Sequence, residues 1–264
     1  MRVGFVQYEP VFGEVAANLA AIETAVEAAG RADLMVLPEL ATTGYNFATV
    51  EEAEALSEPV PGPSTERLAA LARRLETWLV VGIAEAAGGK RYNSSVLIGP
   101  DGSVGTYRKL HLYDREKLFF VPGDLGLPVF RLPVPGDPVI GMMICFDWRF
   151  PEAARGLALA GADIIAHPSN LVLTLCQAAM ITRCLENRVF AVTANRTGVE
   201  DRGGVRIGFT GGSQIVDPNG VVLAAADPAN SGSAVVTIDL AEARNKSINS
   251  RNDLWGDRRV GEYG

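Results

Sequence analysis

Gly141-Met142-Met143-Ile144-Cys145-Phe146-Asp147-Trp148-Arg149-Phe150-Pro151-Glu152 is the stretch on which the reading of this chain turns. Val139 to Ile144 is an apolar run of the kind that forms a buried strand. Pro151 then opens a helical pattern, because proline at the first helical position lacks only a donor that the helix would not use. Cys145 is thereby placed at the tip of a strand, on the turn into a helix that ends near Gly161. Side chains at such tips point out of the sheet edge, where open α/β folds keep their ligands. A lone cysteine is by itself a small buried apolar residue. Here the rest of the chain supplies a carboxylate and a lysine in similar strand-end positions.

Upstream, Met1 to Gln7 reads as a strand, and Val15 to Gly30 carries Leu19, Ile22 and Val26 on one helical face, capped by Gly30. Leu34 to Leu37 is a short strand that runs into Pro38-Glu39-Leu40. The loop from Ala41 to Thr49, which contains Tyr45, follows that carboxylate and is expected to line the site. Pro59 to Pro63 is a rigid connector, and Ser64 is the expected N-cap of a helix carrying Leu68, Leu71 and Leu75. Trp78 to Ala84 is the next strand. Asn93 to Gly99 and Val104 to His111 form a hairpin around Asp101-Gly102, with Lys109 near the end of its second arm. A loop with Arg115 and Glu116 leads back to the Cys145 strand.

Downstream, strand Asp163 to Ala166 finishes at His167-Pro168-Ser169-Asn170, and a helix from about Leu175 to Arg188 precedes strand Phe190 to Thr193. Pro218-Asn219-Gly220 turns a late hairpin, and Ser233 to Ile238 is the last strand. Alternating strands and helices in both halves argue for a layered α/β sandwich formed by one domain, 1–264. The tail from Arg244 onward is polar with few apolar anchors, and is expected to lie across another surface such as a second subunit.

The net charge of -7 and the absence of basic runs interleaved with aromatics argue against a nucleic-acid surface. No apolar stretch approaches the ~20 residues of a membrane span, and the N-terminus lacks a signal peptide's apolar region. A cytoplasmic protein is expected. Three cysteines do not make a disulfide framework. Cys176 and Cys184 lie roughly 12 Å apart along a helix, too far to bridge, and read as core or interface residues.

Cys145, Glu39 and Lys109 have the right types for thiol chemistry on an amide. The thiol would attack, the carboxylate would carry its proton, and the lysine would favour thiolate and oxyanion. The backbone N–H of Phe146 would be a second oxyanion donor. An ordinary strand-end carboxylate and a solvated hairpin lysine fit the spacing equally, so the residues alone leave the point open.

Leu37-Pro38-Glu39-Leu40, Tyr107-Arg108-Lys109-Leu110-His111-Leu112 and Ile144-Cys145-Phe146-Asp147 resemble the three signature blocks of the nitrilase superfamily of carbon–nitrogen hydrolases. They stand in the family's order, and the resemblance covers essentially the whole chain. Tyr92-Asn93-Ser94, His167-Pro168-Ser169-Asn170 and Leu185-Glu186-Asn187-Arg188 match as well. Within the family the chain looks like the small archaeal and bacterial aliphatic amidases, tail included.

The resemblance implies a four-layer α-β-β-α sandwich that pairs with a second subunit, and neither metal nor cofactor. It puts the catalytic set on Glu39, Lys109 and Cys145, and a second, substrate-orienting glutamate on Glu116. Phe146, Trp148, Arg149, Asn170 and Tyr45 are the expected substrate-binding residues. Arg149 has two readings: a fork for a substrate carboxylate, or a partner of Glu152 that braces the helix start.

The expected activity is hydrolysis of a small aliphatic amide or omega-amide to acid and ammonia through a thioester. Nitrile hydrolysis and N-carbamoyl-amine hydrolysis use the same set. A Cys145–His167 dyad is a weaker reading. Two histidines are too few for zinc or for a metal phosphoesterase. A non-catalytic binding protein would require the set to be a relic.

Overall fold

The computed structural model describes residues 1–263, and Gly264, the end of the expected domain, lies outside the described residues. The first half contains strands β1 (Arg2–Gln7), β2 (Leu34–Val36), β3 (Trp78–Ala87), β4 (Lys90–Ile98) and β5 (Val104–Arg108) with helices α1 (Val15–Ala29), α2 (Val50–Leu56) and α3 (Pro63–Leu75). The second half contains β6 (Val129–Arg131), β7 (Val139–Met142), β8 (Ile164–Pro168) and β9 (Phe190–Ala194) with helices α4 (Pro151–Leu159) and α5 (Leu175–Asn187). Strands β10 (Val199–Arg202), β11 (Val205–Gly208), β12 (Gln214–Val216), β13 (Val222–Ala225) and β14 (Gly232–Thr237) follow, and then α6 (Leu240–Arg244).

Two six-stranded sheets result, ordered β14-β1-β2-β3-β4-β5 and β13-β12-β9-β8-β7-β6, each with three parallel strands at its centre. The strand period of two explains the layering. Val3, Phe5, Leu34, Val36 and Val80 turn towards the second sheet, where Ile140, Met142 and Ile164 meet them. Val6, Met35, Leu37, Leu79 and Val81 turn the other way, onto Leu19, Ile22 and Val26 of α1 and Leu68 and Leu71 of α3. Burying each such helix side chain contributes roughly 1.5–3 kcal/mol. With α4 and α5 on the far side of the second sheet, the architecture is helix, sheet, sheet, helix, as expected.

Several local expectations are corrected. Gly62, not Ser64, caps α3; Thr65 closes that end by accepting the Gly62 N–H at 2.7 Å, with proline at N1. The strand from Trp78 runs on to Ala87 and turns at Gly88-Gly89, both with positive φ, as a tight hairpin demands. Helix α2 was not expected, although Thr49-Val50-Glu51-Glu52 carries the capping-box pattern. Thr49 Oγ1 accepts the Glu52 N–H at 3.3 Å, and Glu52 accepts the Ala48 N–H at 2.8 Å. Between β7 and α4 lies a 3₁₀ turn, Cys145–Arg149.

The side chains of Cys176, Met180 and Cys184 lie inside the chain's own core, so they are core residues and not interface residues. The tail is anchored on its own chain. Arg244 pairs with Asp163 at 2.8 Å, Lys246 Nζ donates to the carbonyls of Asn187 and Arg188, and the Trp255 ring lies under Arg155 and Lys246. Among the described residues no helix is long and apolar enough to cross a membrane.

Candidate active site

Cys145 follows β7 with φ of +40°, a left-handed conformation that is strained for a residue with a Cβ. The surroundings hold it there. Buried Asp147 accepts the Ile144 N–H at 2.9 Å and the Tyr107 hydroxyl at 2.6 Å, and its own N–H donates to Ile144 O at 3.0 Å. His111 Nδ1 lies 2.7 Å from the other oxygen of Asp147. His167 Nε2 donates to the carbonyl of Cys145 at 2.9 Å, not to the thiol, and burial lowers the imidazole pKa to about 4. His167 is thus a neutral brace for the backbone of the turn, which removes the Cys–His dyad. Strain over-determined in this way is a mark of functional turns.

Glu39 leaves the end of β2 and Lys109 the end of β5, and the fold brings them together. Lys109 Nζ donates to Glu39 Oε1 at 2.6 Å and to Glu116 Oε1 at 2.7 Å, with all three side chains buried. Close approach of strands makes this possible: a Cβ on Gly82 would stand 2.4 Å from the Glu39 Cα. Asn93 on β4 donates to Glu39 Oε1 at 2.7 Å, and Tyr45 donates its hydroxyl to Glu116 Oε1 at 2.7 Å. Glu39 Oε2 is buried without a partner among the described residues. Asn93 touches both carboxylates of the candidate set, and the sequence reading gave it no role. Its signal was the polar run Asn93-Ser94-Ser95 inside a buried strand.

The charges follow from this geometry. Burial alone draws Lys109 down, but Glu116, Glu39 and Cys145 outweigh it and hold the ammonium well above the usual lysine range. Burial pushes Glu116 up to about 7, against the pull of Lys109 and with a further push from Glu39. Burial and the charge of Glu39 push the Cys145 thiol well up, against the pull of Lys109. Lys109 does favour the thiolate, as expected, but burial and Glu39 outweigh it. The balance at Cys145 leans towards the protonated thiol, and a carboxylate with a free oxygen shares its surroundings.

Cys145, Phe146, Trp148, Arg149 and Asn170 line one cavity of about 310 Å³. Tyr45 and Glu116 line a neighbouring one of about 300 Å³, and Tyr113 and Val172 belong to both walls. Tyr113 was not among the expected residues. Asn170 is buried on this cavity wall, and among the described residues both polar atoms of its carboxamide are unpartnered, which calls for an explanation in a native fold. Arg149 is exposed, with its guanidinium 5.4 Å from the Trp148 ring centre. Among the described residues it forms no ion pair, so the expected Arg149–Glu152 brace is absent.

The family model described as carbon-nitrogen hydrolase matches residues 2–246. A nitrilase of Pyrococcus abyssi is 47% identical over 266 residues, covering 100% of this chain and 99% of the relative. An (R)-stereoselective amidase of a Pseudomonas species is 34% identical, covering 98% and 92%. The crystal structure of an amidase from a Nesterenkonia species superposes with a TM-score of 0.80 at 28% identity, covering 99% of this chain and 94% of that one. A mutant of the Nesterenkonia amidase, 27% identical to this chain, carries acrylamide added to its active-site cysteine.

Proposed function

The chain belongs to the carbon–nitrogen hydrolases, which act on bonds other than peptide bonds, and we propose that it hydrolyses a small aliphatic amide or omega-amide through a thioester on Cys145. One observation carries this reading: a buried ammonium joins two carboxylates, one with a free oxygen, within electrostatic reach of a cysteine on a cavity wall.

In the first half-reaction the thiol proton passes to Glu39 as the sulfur attacks the amide carbon. Negative charge then gathers on the carbonyl oxygen. Lys109 offsets it, together with the N–H of Phe146, since the first N–H groups of a helical turn lack partners within it. Glu39 returns the proton to the nitrogen, the C–N bond breaks, and ammonia leaves. In the second half-reaction Glu39 takes a proton from water, whose oxygen attacks the thioester. The C–S bond breaks, the sulfur regains its proton from Glu39, and the acid departs. Charged Glu116 orients the amide N–H and keeps Lys109 protonated. Asn170 offers its free carboxamide to the substrate, while Trp148 supplies an apolar wall.

Nitrile hydrolysis is the second reading, favoured by the 47% identity to a protein named nitrilase. It would replace the first adduct with a thioimidate. Ammonia release from propionamide, propionitrile, an N-carbamoyl amine and succinamate separates the readings. Turnover of the amides is expected to exceed that of the nitrile, and a preference for the nitrile overturns the assignment. Arg149, unpaired and on the cavity wall, is expected to grip the carboxylate of succinamate with its fork. Arg149→Met should then lose about tenfold or more on succinamate, as for a charge-assisted hydrogen bond, with propionamide spared. Equal loss on both makes the arginine structural.

A second copy of the chain completes the reading. Leu185 on the outer face of α5 and Ile248 and Val260 in the tail are exposed, and a symmetric dimer would cover them. Light scattering at micromolar concentration should report a dimer or larger, and a fully active monomer contradicts this.

A further inference from the structure

Arg196 and Glu200 form an ion pair buried beside the loop that follows Glu39, away from the reacting groups. A buried pair carries a desolvation cost that can exceed its Coulombic gain, so stability alone does not explain why it is there. Here the partners show what is specified. Glu200 Oε2 accepts the Asn46 N–H at 2.6 Å and the Tyr45 N–H at 3.1 Å, so one carboxylate grips two successive backbone donors. Asn46 in turn donates its side chain to Val205 O at 2.8 Å, tying the loop to the hairpin of β10 and β11. Arg196 donates to the Pro10 carbonyl at 3.1 Å, and its guanidinium lies 4.0 Å above the Phe209 ring. Phe209 packs edge-on against the Tyr45 ring at 5.9 Å. The pair therefore fixes both the backbone and the ring of Tyr45, whose hydroxyl donates to Glu116 Oε1.

We infer that Glu200, held by Arg196, is a positioning residue of the active site: by setting Tyr45 it governs whether Glu116 is ionised at neutral pH. The inference rests on the proposed role of charged Glu116. The other groups facing Glu116 are Lys109, Glu39, Cys145 and Asn93. Asp114, Arg115 and Lys117 of its own turn make no ion pair with it among the described residues. Lys109 and Tyr45 both favour the charged carboxylate, against burial and Glu39. Loss of the Tyr45 hydrogen bond must therefore raise the pH at which Glu116 takes up a proton.

The test is kcat/KM against pH with an amide substrate, for wild type, Tyr45→Phe and Glu200→Gln. Wild type should lose activity below pH about 7, where Glu116 protonates. Tyr45→Phe should move that limb up by about one unit, the size of one hydrogen bond to a charged group. Activity at pH 6 would then fall about tenfold relative to wild type and converge with it at high pH. Glu200→Gln should move the limb the same way. If it does not fold, Glu200→Asp serves, since it keeps the charge on Arg196 while drawing the carboxylate off the two N–H groups. A folded Glu200 variant whose limb stays where the wild type has it, at whatever overall rate, overturns the inference. A wild type with amidase activity but no acid limb near 7 removes the role given to Glu116 instead.

Discussion

Cys145→Ala is expected to abolish ammonia release while leaving the protein folded. The change deletes one sulfur atom and keeps the Cβ, so the left-handed backbone at this position is no worse for alanine than for cysteine. The contacts that hold the turn come from Asp147 and His167 and reach the backbone, not the thiol. Thermal unfolding should therefore change little. The nucleophile, in contrast, has no substitute. Cys176 and Cys184 lie on the buried face of α5, and burial pushes both thiols far up. Wild type incubated with a slow amide should gain the mass of the acyl group on the peptide containing Cys145. An adduct on either other cysteine, or substantial turnover by the alanine variant, refutes the assignment.

Glu39 and Cys145 each end an apolar run, so a polar or reactive side chain stood out against a buried strand. Lys109 instead follows Gly105-Thr106-Tyr107-Arg108 at the end of a hairpin arm. The residues alone left the set open, and the resemblance of the three blocks joined them. The layers were argued from strands alternating with helices, and the two cores show why: successive residues of β1, β2 and β3 are apolar and covered on both faces. What stayed hidden depends on partners far apart along the chain. Arg196 and Glu200 read as ordinary charges near a hairpin, and nothing local says that they close on Tyr45, more than 150 positions away. The tail looked unanchored because its anchors are a cation under a helix end and a tryptophan beneath two cations, neither of which a hydropathy pattern registers. Arg149, three positions before Glu152, suggested a pair, yet Arg149 ends a 3₁₀ turn while Glu152 lies in the first turn of α4, so the two do not share one helix. The protonation of the thiol was out of reach for another reason. Its sign depends on whether burial and Glu39 outweigh Lys109, and only the assembled site decides that.

Glu39→Gln and Lys109→Ala should both be severe, for different reasons. Glutamine keeps the shape of Glu39, and its oxygen can still accept from Asn93 and Lys109. The free oxygen is lost as a base, so thiol deprotonation and thioester hydrolysis should each slow by about 10²–10⁴-fold. Single-turnover acyl formation and its decay, followed separately, should both show the defect. A normal rate for either removes Glu39 from that step. Lys109→Ala should be at least as damaging to turnover, because the oxyanion loses its fixed positive charge. It also leaves Glu39 and Glu116 buried with no cation between them. Glu116 already binds its proton more tightly folded, at about 7, than at the ordinary 4.5, and without Lys109 that affinity must rise further. A raised folded pKa gives stability that is complete below 4.5 and is lost as pH rises through the folded value. The variant should therefore melt closest to wild type near pH 4.5 and fall increasingly below it towards pH 8. A melting deficit that is the same at both ends would mean that the lysine does not hold the two carboxylates together, and the charge arrangement on which the mechanism depends would have to be abandoned.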